Sequence, residues 1–108
     1  MRFQLRARGI EPSPTRSVSI VERRLHSAVG RLTDKVRRVV VQLTDVNGPR
    51  GGRDVRCTIR ARLTTGGELV VQELHDSPFS AAAGASDRMA RGLARRIERL
   101  HQRWRGRA

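Results

Sequence analysis

The residue types that could perform acid–base or nucleophilic chemistry occur together in one short run, His75-Asp76-Ser77. A histidine, a carboxylate and a hydroxyl can supply a general base, its orienting partner and a nucleophile. However, Ser77 comes directly before Pro78, and a serine followed by a proline is typical of a helix N-cap and the first helical position. We therefore prefer a capping role for this run. A small enzyme that uses His75 and Asp76 is kept as an alternative.

Other candidates for catalysis or for binding a small ligand are weak. Cys57 is the one cysteine, and it lies in phase with apolar residues of a strand pattern, which predicts a core position. The three histidines show no metal-binding spacing such as H-x-x-E-H. The glycine-rich segment 48–52 lacks the Gly-Lys-Ser/Thr ending of a phosphate-binding loop. We expect no metal, no cofactor and no small-molecule substrate.

Basic residues, in contrast, are numerous and organised. The chain has 23 basic and 10 acidic residues, a net charge of +13, and every basic residue except Lys35 is an arginine. Arginines recur at helical spacing along residues 78–108, on the side opposite the apolar positions. Like charges at this spacing repel, and a bound polyanion would relieve the repulsion. The candidate RNA-binding residues are Arg23, Arg24, Lys35, Arg88, Arg91, Arg95 and Arg99.

The composition also narrows the kind of polyanion. The aromatic residues are Phe3, Phe79 and Trp104, and the last two have the phase of core residues, so a platform for stacking unpaired bases is missing. No apolar run is long enough to cross a bilayer, and the apolar helix faces are needed against a sheet. Structured, double-helical RNA contacted through its phosphates is the best match. Residues 1–10 lack the apolar region of a signal peptide, so we expect a cytoplasmic protein.

Hydrophobic periodicity predicts the elements that position these residues. Period two predicts strands over residues 1–7 and 55–63, and in-phase β-branched residues predict one over 36–43. The hairpin at Thr65-Gly66-Gly67 predicts a fourth, shorter strand over 68–74, and spacings of three and four predict helices from Thr15 and from Pro78. The expected fold class is α+β, a two-layer sandwich in the order β-α-β-β-β-α. Both helices cover one face of a four-stranded antiparallel sheet. We expect one domain over residues 1–108 with a frayed tail at 104–108. The residues expected to be mutually buried are Val21, Leu25, Cys57, Ile59, Leu93 and Ile97.

The outward-facing positions of the strand over 55–63 form a second candidate surface. These positions hold Arg56, Arg60 and Arg62. This surface ranks lower than the helix surface, because an exposed sheet face needs polar residues in any case.

Nearly the whole chain, from Phe3 to about Trp104, resembles the short ribosome hibernation-promoting factors, also called ribosome-associated inhibitors, and the resemblance is best from Leu63 onward. After the Gly66-Gly67-Glu68 hairpin, that family continues with a strand, an aromatic and alanine-rich helix start, and an Asp-Lys-Leu-x-Arg-x-Leu-x-Lys pattern. The corresponding residues here are Phe79, Ala81 and the segment Asp87-Arg88-Met89-Ala90-Arg91-Gly92-Leu93-Ala94-Arg95. Ser77 and Ala83 stand where the family usually has acidic residues.

The resemblance implies a fold similar to double-stranded RNA-binding domains with an added first strand. It also implies that the chain binds the small ribosomal subunit and its rRNA in the decoding channel and blocks translation by occupancy. The candidate basic residues would then face rRNA. An RNA- or DNA-binding domain that acts outside the ribosome is the alternative from the same charges.

Overall fold

The structure is a computed structural model that describes the backbone of residues 1–10, 15–47 and 54–105, with the side chains of those residues as far as Leu100. The elements are β1 (Arg2–Arg8), α1 (Thr15–Val29), a 3-10 turn (Thr33–Lys35), β2 (Val36–Asp45), β3 (Val55–Leu63), β4 (Glu68–His75) and α2 (Pro78–Arg105). The predicted order β-α-β-β-β-α is confirmed. The glycine-rich segment 48–52 and the side chain of Trp104 lie outside the described residues. The frayed tail stays a prediction, because α2 includes residues 104 and 105 and the remaining three residues are not described.

The four strands form one sheet in the order β1-β2-β3-β4. The pairs β2–β3 and β3–β4 are antiparallel, as predicted, but β1 and β2 are parallel, with Phe3 opposite Val39. The prediction of a fully antiparallel sheet is therefore wrong at this pair. The reason is that α1, and not a hairpin, connects β1 to β2. A helical crossover returns the chain to the end of the sheet from which it came, so the next strand runs in the same direction.

The core lies between the sheet and the two helices, which both cover the same face. Every second residue of β3 points into it and is buried, and so are Val39, Val41 and Leu43 of β2, while an irregularity between Val36 and Arg38 shifts the alternation at the start of β2. The six residues expected to be mutually buried are confirmed in one cluster: Val21, Leu25, Cys57, Ile59, Leu93 and Ile97. Each apolar side chain of this size contributes roughly 1.5–3 kcal/mol when it leaves water, so this cluster holds the helices on the sheet.

The helix α2 begins as predicted, since the backbone N–H of Ser80 donates to Ser77 Oγ at 3.2 Å, which is N-cap geometry. Phe79 was expected in the core but is 38% exposed, so that prediction is wrong. Its helical phase is that of the core residues, but it lies in the first turn of α2. There the Arg16 guanidinium of α1 lies over its ring, 4.9 Å from the ring centre, in a cation–π contact.

The edge strand β1 is less well covered than its alternating sequence predicted. Phe3 is half-buried beside the His26 ring of α1, at 5.7 Å between ring centres. Leu5 and Ala7, on the same side of the strand, are exposed. The helices therefore protect β2 and β3 fully and β1 only at one end.

Candidate nucleic-acid interface

Four arginines of α2 form the row that the sequence predicted. Arg88, Arg91, Arg95 and Arg99, called here the α2 basic stripe, are all exposed and lie on a 28-residue helix. At 1.5 Å per residue the stripe is about 16 Å long. Three of its arginines line an open groove together with Leu69 and Val71 of β4. The stripe therefore follows the outer edge of the sheet.

Arg88 is held by the protein itself. Its Nη1 donates to the Gln72 carbonyl oxygen and to Glu73 Oε2, both at 3.1 Å. These bonds tie α2 to β4 and neutralise part of the charge of Arg88. In contrast, Arg91, Arg95 and Arg99 form no ion pair with any residue that the structure describes.

The partner of Arg88, Glu73, lies between two basic side chains at the rim of the core. His75 Nε2 lies 3.5 Å from Glu73 Oε1, on the side opposite Arg88. Partial burial opposes ionisation of Glu73, but the hydrogen bonds from Arg88 and His75 outweigh it, so the pKa of this carboxyl lies below its ordinary value. Gly84 of α2 leaves room for this cluster, because a Cβ there would lie 2.9 Å from both Glu73 Oε1 and His75 Nε2.

Arg24, another predicted RNA-binding residue, connects the two helices. Its Nη1 donates to Asp87 Oδ1 at 2.7 Å and to the Ala83 carbonyl oxygen at 2.8 Å. Arg24 reaches α2 from α1, and its charge is balanced by Asp87. Its role in this structure is helix-to-helix contact, and RNA binding by it stays a prediction.

Arg23 and Lys35 are not on the α2 basic stripe. Arg23 is exposed on α1. Lys35 ends the 3-10 turn, and its carbonyl oxygen accepts from Thr64 N at 3.0 Å, which places it beside the β3–β4 hairpin. The seven predicted residues therefore comprise one row of four on α2, a helix-bridging residue and two residues elsewhere.

The structure also shows a second basic surface, larger than the three β3 arginines that the sequence predicted. The side of the sheet away from the helices, called here the open sheet face, carries arginines from three strands. In addition to the predicted Arg56, Arg60 and Arg62 of β3, it holds Arg2, Arg6 and Arg8 of β1 and Arg38 of β2. The alternation in β1 signalled that its arginines face away from the core. What the sequence did not give was the parallel position of β1 beside β2, which places these arginines on the same surface as those of β3.

The residues that the sequence offered for catalysis do not form a catalytic arrangement in the part of the chain that the structure describes. His75 faces Glu73, Asp76 is exposed, and Ser77 caps α2. Burial, with a smaller contribution from the charge of Glu73, raises the pKa of the Cys57 thiol to about 12, so this cysteine is not a nucleophilic thiolate near neutral pH. Within residues 1–10, 15–47 and 54–100, no three histidine, cysteine or acidic side chains lie close enough to hold a metal ion.

Among the described residues, neither helix has a stretch apolar enough to cross a bilayer.

Comparison with known proteins finds similarity in structure but no match in sequence. No protein-family model and no curated protein matches the sequence. A ribosomal subunit interface protein from Coxiella burnetii has a similar structure, with a TM-score of 0.70 and 14% sequence identity over 91% of this chain and 99% of that one. The N-terminal domain of Thermus thermophilus Protein Y is also similar, with a TM-score of 0.67 and 19% identity over 88% of this chain and 98% of that domain. This chain has the fold of these two proteins, as its resemblance to the ribosome hibernation-promoting factors predicted.

Proposed function

We propose that this chain binds the small ribosomal subunit through rRNA phosphates and inhibits translation by occupying the decoding channel, without catalysis. The observation that carries the proposal is the fold shared, over 91% of the chain, with a protein named for the ribosomal subunit interface. The sequence pattern from Asp87 to Arg95 supports the same conclusion independently, because it resembles the hibernation-promoting factors.

The charge of the α2 basic stripe supports RNA as the partner. Arg91, Arg95 and Arg99 lie on one side of a helix without acidic partners among the described residues, so their guanidinium groups repel one another. Phosphates of a folded RNA would remove this repulsion, and guanidinium binds phosphate oxygens in a bidentate manner. Arg88 contributes less to this attraction, because its guanidinium already donates hydrogen bonds to Glu73 and to the Gln72 carbonyl oxygen.

The two alternatives have weaker support. An RNA- or DNA-binding role outside the ribosome uses the same arginines, but it does not account for the fold shared with a ribosomal subunit interface protein. A small enzyme built on His75 and Asp76 finds no support in the described geometry, because His75 faces Glu73 at 3.5 Å and Asp76 is exposed.

The test combines ribosome binding with translation. Purified protein is sedimented with small subunits on sucrose gradients and added to a purified translation system. We expect co-sedimentation and dose-dependent inhibition. The variant Arg91→Gln/Arg95→Gln/Arg99→Gln should show clearly weaker binding and weaker inhibition, whereas the matched Lys variant at the same positions should keep most of both because it keeps the charge.

Two results would contradict the proposal. Equal affinity for small subunits and for an unrelated RNA duplex, without inhibition of translation, would favour the general nucleic-acid role. Inhibition that disappears in His75→Ala while ribosome binding persists would favour the enzyme.

A further inference from the structure

We infer that the open sheet face is a second phosphate-binding surface, so that the protein contacts two segments of folded RNA, one through its helix layer and one through its sheet. The inference deepens the proposed function, on which it rests for the identity of the RNA as ribosomal. It concerns a face that neither helix covers, whereas the α2 basic stripe lies on the helix layer along the β4 edge of the sheet.

The strand register gives the arrangement of this face as four rows. From β1 to β4, the first row is Arg2, Arg38, Arg62 and Glu68, and the second is Gln4, Val40, Arg60 and Val70. The third row is Arg6, Gln42, Thr58 and Gln72, and the fourth is Arg8, Thr44, Arg56 and Leu74. With about 4.8 Å between strands and about 7 Å between alternate residues, the rows cover roughly 14 by 20 Å.

The charge of these rows is almost entirely positive. They hold seven arginines and one acidic residue, Glu68, a net charge of +6 over positions that the structure describes throughout. Arg60 Nη1 lies 3.2 Å from Glu68 Oε1, and this ion pair balances the one negative charge of the face. An exposed sheet face does need polar residues, but mixed charges would meet that need without repulsion.

The first row shows the repulsion most clearly. Arg2 and Arg38 are register partners, and so are Arg38 and Arg62, which places three like charges side by side across three strands. Directly opposed like charges destabilise a sheet. The Arg38 guanidinium donates to the amide oxygen of Gln4, which orients it without neutralising it. A bound anion would turn this repulsion into attraction.

The other residues of the face suit a phosphate backbone better than unpaired bases or an apolar partner. The rows contain no aromatic side chain on which a base could stack. Gln42, Thr58 and Gln72 lie between two rows that contain arginines and can donate neutral hydrogen bonds to phosphate or ribose oxygens. The exposed apolar residues Val70 and Leu74 are confined to β4, at one margin of the face.

The test uses arginines of this face that have no acidic partner among the described residues. The sheet variant carries Arg2→Gln, Arg6→Gln, Arg38→Gln and Arg62→Gln, and its control carries Lys at the same four positions. Circular dichroism should show an intact fold for both, because all four side chains point away from the core. Binding to small subunits and to a short RNA duplex is then measured against salt concentration.

We expect the sheet variant to flatten the slope of log affinity against log salt by about 3–4 on small subunits, whereas the Lys control keeps the slope of the unmodified protein. A second readout tests directly whether the two surfaces each bind RNA. The unmodified protein should bring donor-labelled and acceptor-labelled RNA duplexes together in energy-transfer measurements. The sheet variant and the Arg91/Arg95/Arg99 Gln variant should each bind one duplex and fail to join two.

An unchanged slope and unchanged joining of duplexes in the sheet variant would overturn the inference and leave the proposed function intact. It would also be overturned if the substitutions reduced binding to vesicles of anionic lipid but not to RNA. A different result separates the two proposals. If the unmodified protein does not bind small subunits, but the sheet variant weakens duplex binding and joining as expected, the ribosomal function is wrong and the second RNA surface stands.

Discussion

Arg24 Nη1 lies 2.7 Å from Asp87 Oδ1, and this ion pair connects α1 to α2. The two side chains are 35% and 53% exposed, so water screens their attraction. The same ion pair should also weaken the attraction of Arg24 for RNA phosphates. Asp87 lies directly before Arg88 in α2, and its carboxylate holds the charge of Arg24 inside the protein.

Asp87→Asn should therefore change stability and RNA affinity in opposite directions. Loss of an exposed ion pair should lower the free energy of unfolding by about 0.2–1 kcal/mol. Release of the Arg24 guanidinium should strengthen binding to small subunits and steepen the salt slope by about 1. Asp76→Asn is the control, because it changes the net charge equally at an exposed position without releasing an arginine. Equal effects of both variants on the slope would show that net charge alone, and not Arg24, is responsible.

The Glu73 carboxyl should make stability depend on pH in the acid range. Its pKa in the folded protein is below the ordinary value of 4.5. The folded state therefore favours the ionised carboxylate, and this contribution is complete above pH 4.5 and is lost as the pH falls through the lower, folded pKa. Denaturant unfolding between pH 6 and pH 3 should show a smaller loss of stability in Glu73→Gln than in the unmodified protein. Parallel curves for the two proteins would show that Arg88 and His75 do not stabilise the carboxylate.

Two glycines inside α2 give a matched test of the space around Glu73. Alanine in a helix interior is favoured over glycine by up to about 1 kcal/mol. At Gly92 the nearest atom to a new Cβ would be Leu69 Cδ1 at 3.8 Å, so Gly92→Ala should show this gain. At Gly84 a Cβ would displace Glu73 and His75, so Gly84→Ala should gain little or lose stability. Urea unfolding measures both, and equal gains would mean that the Glu73 cluster moves aside without cost.

Leu93→Ala should lower the free energy of unfolding by about 2–5 kcal/mol, because the side chain is fully buried between α2 and the sheet. This is a large part of the roughly 5–15 kcal/mol that stabilises a domain. Leu74→Ala makes the same chemical change at a residue that is 58% exposed, and we expect an effect within about 0.5 kcal/mol. Thermal unfolding followed by circular dichroism separates the two variants. Similar melting temperatures would contradict the assignment of the core.

The sequence predicted the local elements better than their arrangement, for physical reasons. Alternation in β3 and the Ser77-Pro78 start of α2 depend on neighbours in the chain, so both were recognisable. The parallel pairing of β1 with β2 depends on where α1 returns the chain, which no local pattern contains. The same distinction applies to the candidate site. The spacing of Arg91 and Arg95 predicted the α2 basic stripe, but the partners of Arg24 and Arg88 come from segments distant in sequence.

Binding through the α2 basic stripe should depend strongly on salt and weakly on RNA sequence, because phosphates carry the contact. If Arg91, Arg95 and Arg99 each neutralise one phosphate, replacing all three by Gln should flatten the salt slope on small subunits by about 2–3. Adding Arg88→Gln should flatten it by less than one further unit, because Arg88 is already bound to Glu73 and Gln72. This fourth change should instead reduce stability, which unfolding measurements on the single Arg88→Gln variant would detect. A full further unit of slope with no loss of stability would mean that Arg88 leaves β4 and binds RNA as the other three arginines do.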